Sequence, residues 1–249
     1  MRNPEQAELT AGLKELQLVW PLQHYETLAD EAAQENWTPV TYLGRLVEGE
    51  CHRRRENRIR RRIQDARFPV VRTLDGFNWS WPKKINRAQV QNLFRLQFLE
   101  AKANVIFLGG VGLGKTHLAT ALGHAACLEG QHVLFTTAVD MINTLVAAQA
   151  VQRLKFELRK YQTPALLILD EVGYLPIDKH GADLLFQVIS ARYERGSIVL
   201  TTNKTFKQWP GIFNNDSTLA SAVLDRLLHH AETVVIEGPS YRMQERATE

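Results

Sequence analysis

The chain has 249 residues, 45% hydrophobic and 23% charged, a balance that excludes global disorder and allows one large domain or a small one plus a medium one. No apolar run approaches the roughly 18 residues of a membrane span, the N-terminus "MRNPEQAELT" has no signal-peptide core, and Cys51 and Cys127 form neither a disulfide framework nor a metal spacing, so a cytoplasmic protein is expected. The net charge of +3 conceals a block: residues 45–102 hold 15 basic and six acidic residues (+9), against −5 for residues 1–44 and −1 for residues 103–249, as expected when one region meets a polyanion.

The first 100 residues read as helical. "AELTAGLKELQLVW" puts Leu9, Leu13 and Leu16 on one helix face. Thr38 and Pro39 form an N-cap and first-turn pair for a long helix through residues 40–68. That helix contains "HRRRENRIRRR", with Arg53, Arg54, Arg55, Arg58, Arg60, Arg61 and Arg62. At about 100° per residue, Ile59, Ile63 and Ala66 make a narrow apolar stripe and the arginines fan around the rest. Leu43, Leu46 and Val47 face nearly the opposite way, so the buried side is expected to rotate or the helix to bend. Glu56 and Asp65 cannot neutralise seven arginines, and like charges along one helix repel. Either the run is a solvated face that packs on a core, or it grips phosphates, for which planar guanidinium groups are suited. No base-reading pattern is visible, so the second reading implies sequence-tolerant, salt-sensitive contacts to double-stranded DNA. "FPVVRTLDGFNWSWPKK" then reads as an irregular connector whose Trp79 and Trp81 either pack internally or stack on a base. "RAQVQNLFRLQFLEAK" returns to helix.

From residue 104 the pattern changes. "NVIFLG", "HVLFTT", "ALLILDE", "SIVLTTN" and "TVVIEG" are short apolar runs separated by helical segments, the signature of a five-stranded parallel sheet covered on both faces. The expected fold is therefore α/β, preceded by a small all-helical domain, with boundaries at 1–68, 69–102 (connector and helix) and 103–249. Gly109, Gly110, Val111, Gly112, Leu113, Gly114, Lys115 and Thr116 match G-x-x-x-x-G-K-[ST] between a strand and a helix. There the backbone N–H groups converge on phosphate oxygens, Lys115 reaches the β- and γ-phosphates of ATP, and Thr116 holds Mg²⁺. Asp170 ends an apolar strand where it can approach the ion. Glu171 is the candidate general base, and Asn203 ends another strand where an amide can orient the attacking water.

Taken in order, "LKELQL", "YLGRLVEGECHRR", "ARFPVVRTLDGFNW", "NVIFLGGVGLGKTHLATALG", "LLILDEVGYLPID", "LLFQVISARYERGSIVLTTN" and "DRLLHHAETVVIEGPSYR" resemble the IstB family of helper ATPases from IS21-type insertion sequences across nearly the whole chain. More distantly the chain is similar to the helicase loader DnaC and the initiator branch of AAA+ ATPases. The resemblance implies an AAA+ core without a full C-terminal helical lid. It adds His117, directly after the loop threonine, and Arg242, in "SYR", as nucleotide contacts. It adds Arg226 as the arginine offered to a neighbouring subunit's γ-phosphate, with Arg192 and Arg195 as rivals for that role. It implies ATP hydrolysis, a higher homo-oligomer on bent duplex DNA, and a DDE transposase from the same element as partner. A helicase loader would share every ATPase residue. A small-molecule kinase or a DNA-binding module with an inert loop would need fewer of them.

Overall fold

The computed structural model describes residues 4–241, which fall into two compact units, residues 1–61 and 62–249. Among the described residues no helix is long and apolar enough to cross a membrane.

The first unit holds α1 (Pro4–Glu15), α2 (Val19–Gln34) and most of α3 (Pro39–Asp65), whose last residues count with the second unit. Thr38 caps α3 as expected, its hydroxyl accepting from the Thr41 amide. The single helix expected over "AELTAGLKELQLVW" is broken: α1 stops at Glu15, Gln17 turns with φ 55, and Leu9 and Leu16 stay exposed. Leu43 and Val47 are exposed, but Tyr42, Leu46 and Gly49 are half-buried and Glu50 buried on one side of α3, whereas Ile59, Arg62 and Ile63 are half-buried on another, so the buried side rotates along the helix as expected. Only Pro21 and Glu50 are fully buried among the described residues of this unit, and polar contacts hold it together. The Tyr42 hydroxyl donates to the Tyr25 carbonyl. The Trp20 ring lies on Gly49, where a Cβ would come within 2.3 Å of it. Glu50 accepts from the Trp20 amide at 3.0 Å, from both Arg53 Nη2 (2.7 Å) and Arg53 Nε (3.1 Å), and from Arg54 Nε at 2.6 Å. Two of the seven arginines thus have an internal partner.

The second unit is built on five parallel strands in the order β2-β3-β4-β1-β5: β1 (Asn104–Gly109), β2 (Val133–Thr137), β3 (Leu166–Val172), β4 (Ser197–Thr202) and β5 (Ala231–Ile236). Successive strand residues face opposite sides, which sorts their side chains into two cores. Val105, Phe107, Ile168, Val199 and Val234 pack beneath α6 (Lys115–Leu128), α4 (Arg87–Leu93) and α5 (Gln97–Glu100). Ile106, Leu167, Leu169, Ile198 and Leu200 pack against α7 (Ala138–Ala150), α8 (Leu154–Gln162), α9 (Lys179–Arg192) and α10 (Ser217–Leu228). The helix expected over "RAQVQNLFRLQFLEAK" is two, because Leu96 turns into the left-handed region (φ 59) and buries its side chain between them. After α3, Ala66 is buried in the first of these cores and its carbonyl accepts from the amide of Phe135 in edge strand β2. Beyond β5 no helical lid follows among the described residues.

Candidate nucleotide site

β1 delivers the glycine loop and α6 begins at Lys115, with Gly114 as its N-cap at φ 81. Two glycines here are demanded by space as well as by backbone. A Cβ on Gly112 (φ 72) would lie 2.2 Å from Ser240 Oγ, and one on Gly114 would lie 2.6 Å from the Phe77 ring. Lys115 is 4% exposed and its Nζ donates to the Gly110 carbonyl at 2.6 Å, inside the loop.

The loop opens onto a cavity of about 540 Å³. Its floor is residues 112–117 and Thr120; Glu171 and Tyr174 stand on one wall. The roof is the connector: Pro69, Val70, Arg72, Gly76, Phe77, Asn78, Trp81 and Pro82, joined by Tyr241. The connector is firmly tied down. His117 Nε2 bonds the Thr73 carbonyl at 2.9 Å, and its ring meets Phe77 edge-on. Lys84 and Glu237 exchange backbone hydrogen bonds, Trp81 Nε1 donates to the Pro239 carbonyl, and the Tyr241 amide donates to the Gly112 carbonyl. Trp79 is taken up internally, packed on Phe77 and under the Arg87 guanidinium. His117 therefore reaches the cavity as a tether for its roof. The roof residues were invisible to motif reading, because they come from an irregular stretch with no fixed spacing. The available signals were the family-like segment "ARFPVVRTLDGFNW" and the clustering of Phe77, Trp79 and Trp81.

Asp170 is buried at 4% exposure, and both its oxygens lie 3.0 Å from Thr116 Oγ1. This hydroxyl-plus-carboxylate set beside the phosphate loop is all hard oxygen, which fits Mg²⁺. Asp170 and Glu171 are neighbours on one strand, yet both reach this site. The register explains how: Leu169 pairs Leu200 and Val172 pairs Thr202, so Asp170 and Glu171 together oppose Thr201 in a bulge. Glu171 lies at φ 61 and is exposed into the cavity. Asn203 follows β4, and its Oδ1 is buried with no hydrogen-bond partner among the described residues.

The arginine candidates separate. Arg192 is 1% exposed and donates to the carbonyls of Tyr161, Gln162, Pro164, Ala165 and Ser197. Burial lowers its pKa to about 10. It staples α9 to the end of α8, the segment before β3 and the start of β4, and is not presented at a surface. Arg195 is exposed. Arg226, half-buried on α10, donates to the Ala222 carbonyl and lies over the Phe186 ring. Arg242 lies outside the described residues. Of the basic run, Arg55, Arg58, Arg60 and Arg61 are exposed and form no ion pair among the described residues, and Arg62 is half-buried.

The family model of IstB-like ATP-binding proteins matches residues 11–249. The chain belongs to this family. The IstB-like chain is 40% identical over 245 residues to the insertion sequence IS232 putative ATP-binding protein of Bacillus thuringiensis subsp. berliner, covering 98% of this chain and 97% of that one. It is also 40% identical over 239 residues to the IS21 putative ATP-binding protein of Pseudomonas aeruginosa, covering 96% and 90%. Among solved structures, the DnaC helicase loader superposes with a TM-score of 0.54 at 22% identity, over 66% of this chain and 96% of that one. AMPPCP-bound DnaA from Aquifex aeolicus gives 0.58 at 21% identity, over 72% and 54%. At these identities the IstB-like chain shares their fold, that of the AAA+ core.

Proposed function

We propose that this IstB-like protein hydrolyses ATP as an assembly switch, forming a higher oligomer on duplex DNA in its ATP-bound form and presenting that DNA to the transposase of its own element. The observation that carries the reading is that the phosphate loop and Glu171 line one cavity, with the buried Asp170 bonded to the loop's Thr116. Thr116 and Asp170 would hold Mg²⁺, which neutralises charge on the β- and γ-phosphates. Lys115 turns from the Gly110 carbonyl to the phosphates. Glu171 takes the proton of the attacking water, and the orphan Asn203 Oδ1 accepts that water's other hydrogen. Arg226 leaves its own helix carbonyl to meet the γ-phosphate of a neighbouring subunit, and Arg242 contacts the bound nucleotide. Arg55, Arg58, Arg60, Arg61 and Arg62 contact DNA phosphates, while Arg53 and Arg54 fix Glu50, which accepts from the Trp20 amide of α2.

Relatives named for insertion sequences, at 40% identity over nearly the full chain, support transposition over helicase loading. The likeness to DnaC, although it spans 96% of that chain, is one of fold. The test is electron microscopy of the protein with duplex DNA in ATP and in ADP. Ordered arrays on bent DNA are expected in ATP alone and are lost in Lys115→Ala. Nucleotide-independent arrays, unchanged in Lys115→Ala, would sink the switch. Co-purification with a hexameric helicase instead of a DDE transposase would transfer the chain to the loader reading.

A further inference from the structure

We infer that Thr201 is the positioning residue that keeps Asp170 and Glu171 on the same side of β3, an inference that rests on the ATPase reading. Regular strand geometry sends consecutive side chains to opposite faces, so an adjacent pair of acids shares one face only where the strand is interrupted. The interruption is the bulge opposite Thr201. A bulge leaves one residue without its ladder partner. Here the Glu171 amide, within the bulge, donates to Thr201 Oγ1 at 3.0 Å. The same hydroxyl donates its proton to Asp170 Oδ1 at 2.5 Å.

The directions are fixed by chemistry: an amide can only donate and a carboxylate can only accept, so one hydroxyl satisfies both. Thr201 is 1% exposed, which leaves no water to take its place. Asp170 has two hydroxyl partners, Thr116 and Thr201. When Thr116 turns its hydroxyl oxygen to an ion, Thr201 is the one that still orients the carboxylate. The left-handed backbone of Glu171 is unfavourable for a residue with a Cβ and persists only where its surroundings enforce it. Without the hydroxyl the bulge is free to relax toward regular alternation, which turns Glu171 out of the cavity.

The test compares the full-length wild type with Thr201→Val and Thr201→Ser. Three quantities are read: binding of a fluorescent ATP analogue in EDTA, its enhancement on Mg²⁺ titration, and kcat and KM for phosphate release. Thr201→Val is expected to melt near the wild-type temperature and bind Mg²⁺-free nucleotide normally. It should need about 10-fold more Mg²⁺, as for lost outer-shell partners of a metal ligand, with kcat about 100-fold lower and KM little changed. Thr201→Ser, which keeps the hydroxyl, should restore both. Wild-type magnesium dependence and kcat in Thr201→Val would overturn the inference while leaving the ATPase reading intact. So would parallel loss of melting temperature and Mg²⁺-free binding without rescue by serine, which marks a packing role. A wild-type chain that neither binds nor hydrolyses ATP overturns the ATPase reading as well.

Discussion

Glu171 combines two properties that separate it from its neighbour: a left-handed backbone and exposure to the cavity. Asp170 is buried and bonded to two hydroxyls. Removing the carboxylate charge at each position should therefore fail differently. Glu171→Gln keeps the shape and the backbone partner, so ATP still binds while phosphate release falls by about 10²–10⁴-fold, the usual contribution of a general base. Parallel nucleotide-binding and phosphate-release assays check this; joint loss of binding and hydrolysis would count against a purely chemical role. The identity of both acids was legible in "LLILDE", but their shared orientation was not, because it depends on Thr201 from a strand about 30 residues away. Arg192 shows the opposite limit. In "ARYERGS" it reads as a surface cation, and only the packing of five carbonyls around it reveals a staple.

Among the elements, α3 is the one whose role changed most between sequence and structure. Its start at Thr38–Pro39 and its length followed from capping and pattern. The clamp on Glu50 did not, because it is completed by the Trp20 amide, 30 residues upstream. Hydrogen bonds from Arg53 lower the Glu50 pKa to about 2 from an ordinary 4.5, against the opposing effect of burial, and Arg54 and the Trp20 amide assist. A depressed carboxyl stabilises the folded state above its unfolded pKa and loses that contribution as pH falls. The contacts joining α2 to α3 should thus be at full strength above pH 4.5 and fade toward pH 2. Glu50→Gln should lower the melting midpoint of the helical unit by several degrees at neutral pH and flatten its acid dependence. Circular dichroism melts across that pH range, wild type against variant, measure both. The strands were the most readable elements, since continuous apolar runs have few alternatives in a sheet covered on both faces. The break at Leu96 was hidden because nothing in a leucine signals a left-handed turn.

Across the whole molecule the positive charge sits in one block, residues 45–102, and its exposed members on α3 are now reduced to a short list. Reversing Arg55, Arg58 and Arg61 to glutamate spares the Glu50 clamp. It should weaken binding to every DNA sequence alike and make the salt dependence shallower by about three phosphate contacts' worth of counterion release. Fluorescence anisotropy at several salt concentrations, with nucleotide binding as a control for folding, tests this; a sequence-selective loss would contradict backbone-only contact. The nucleotide cavity imposes a different kind of constraint. Its roof is the 69–82 connector, and the adjoining α4 and α5 bury Val90, Leu93, Phe98 and Leu99 against the sheet. The ATP-binding unit is therefore not modular at its first strand. A gene fusion or truncation that begins at residue 103 would strip an apolar face and unroof the cavity, so the smallest inheritable piece that keeps its nucleotide site begins near Arg62, inside what looks from the sequence like the arm of another domain.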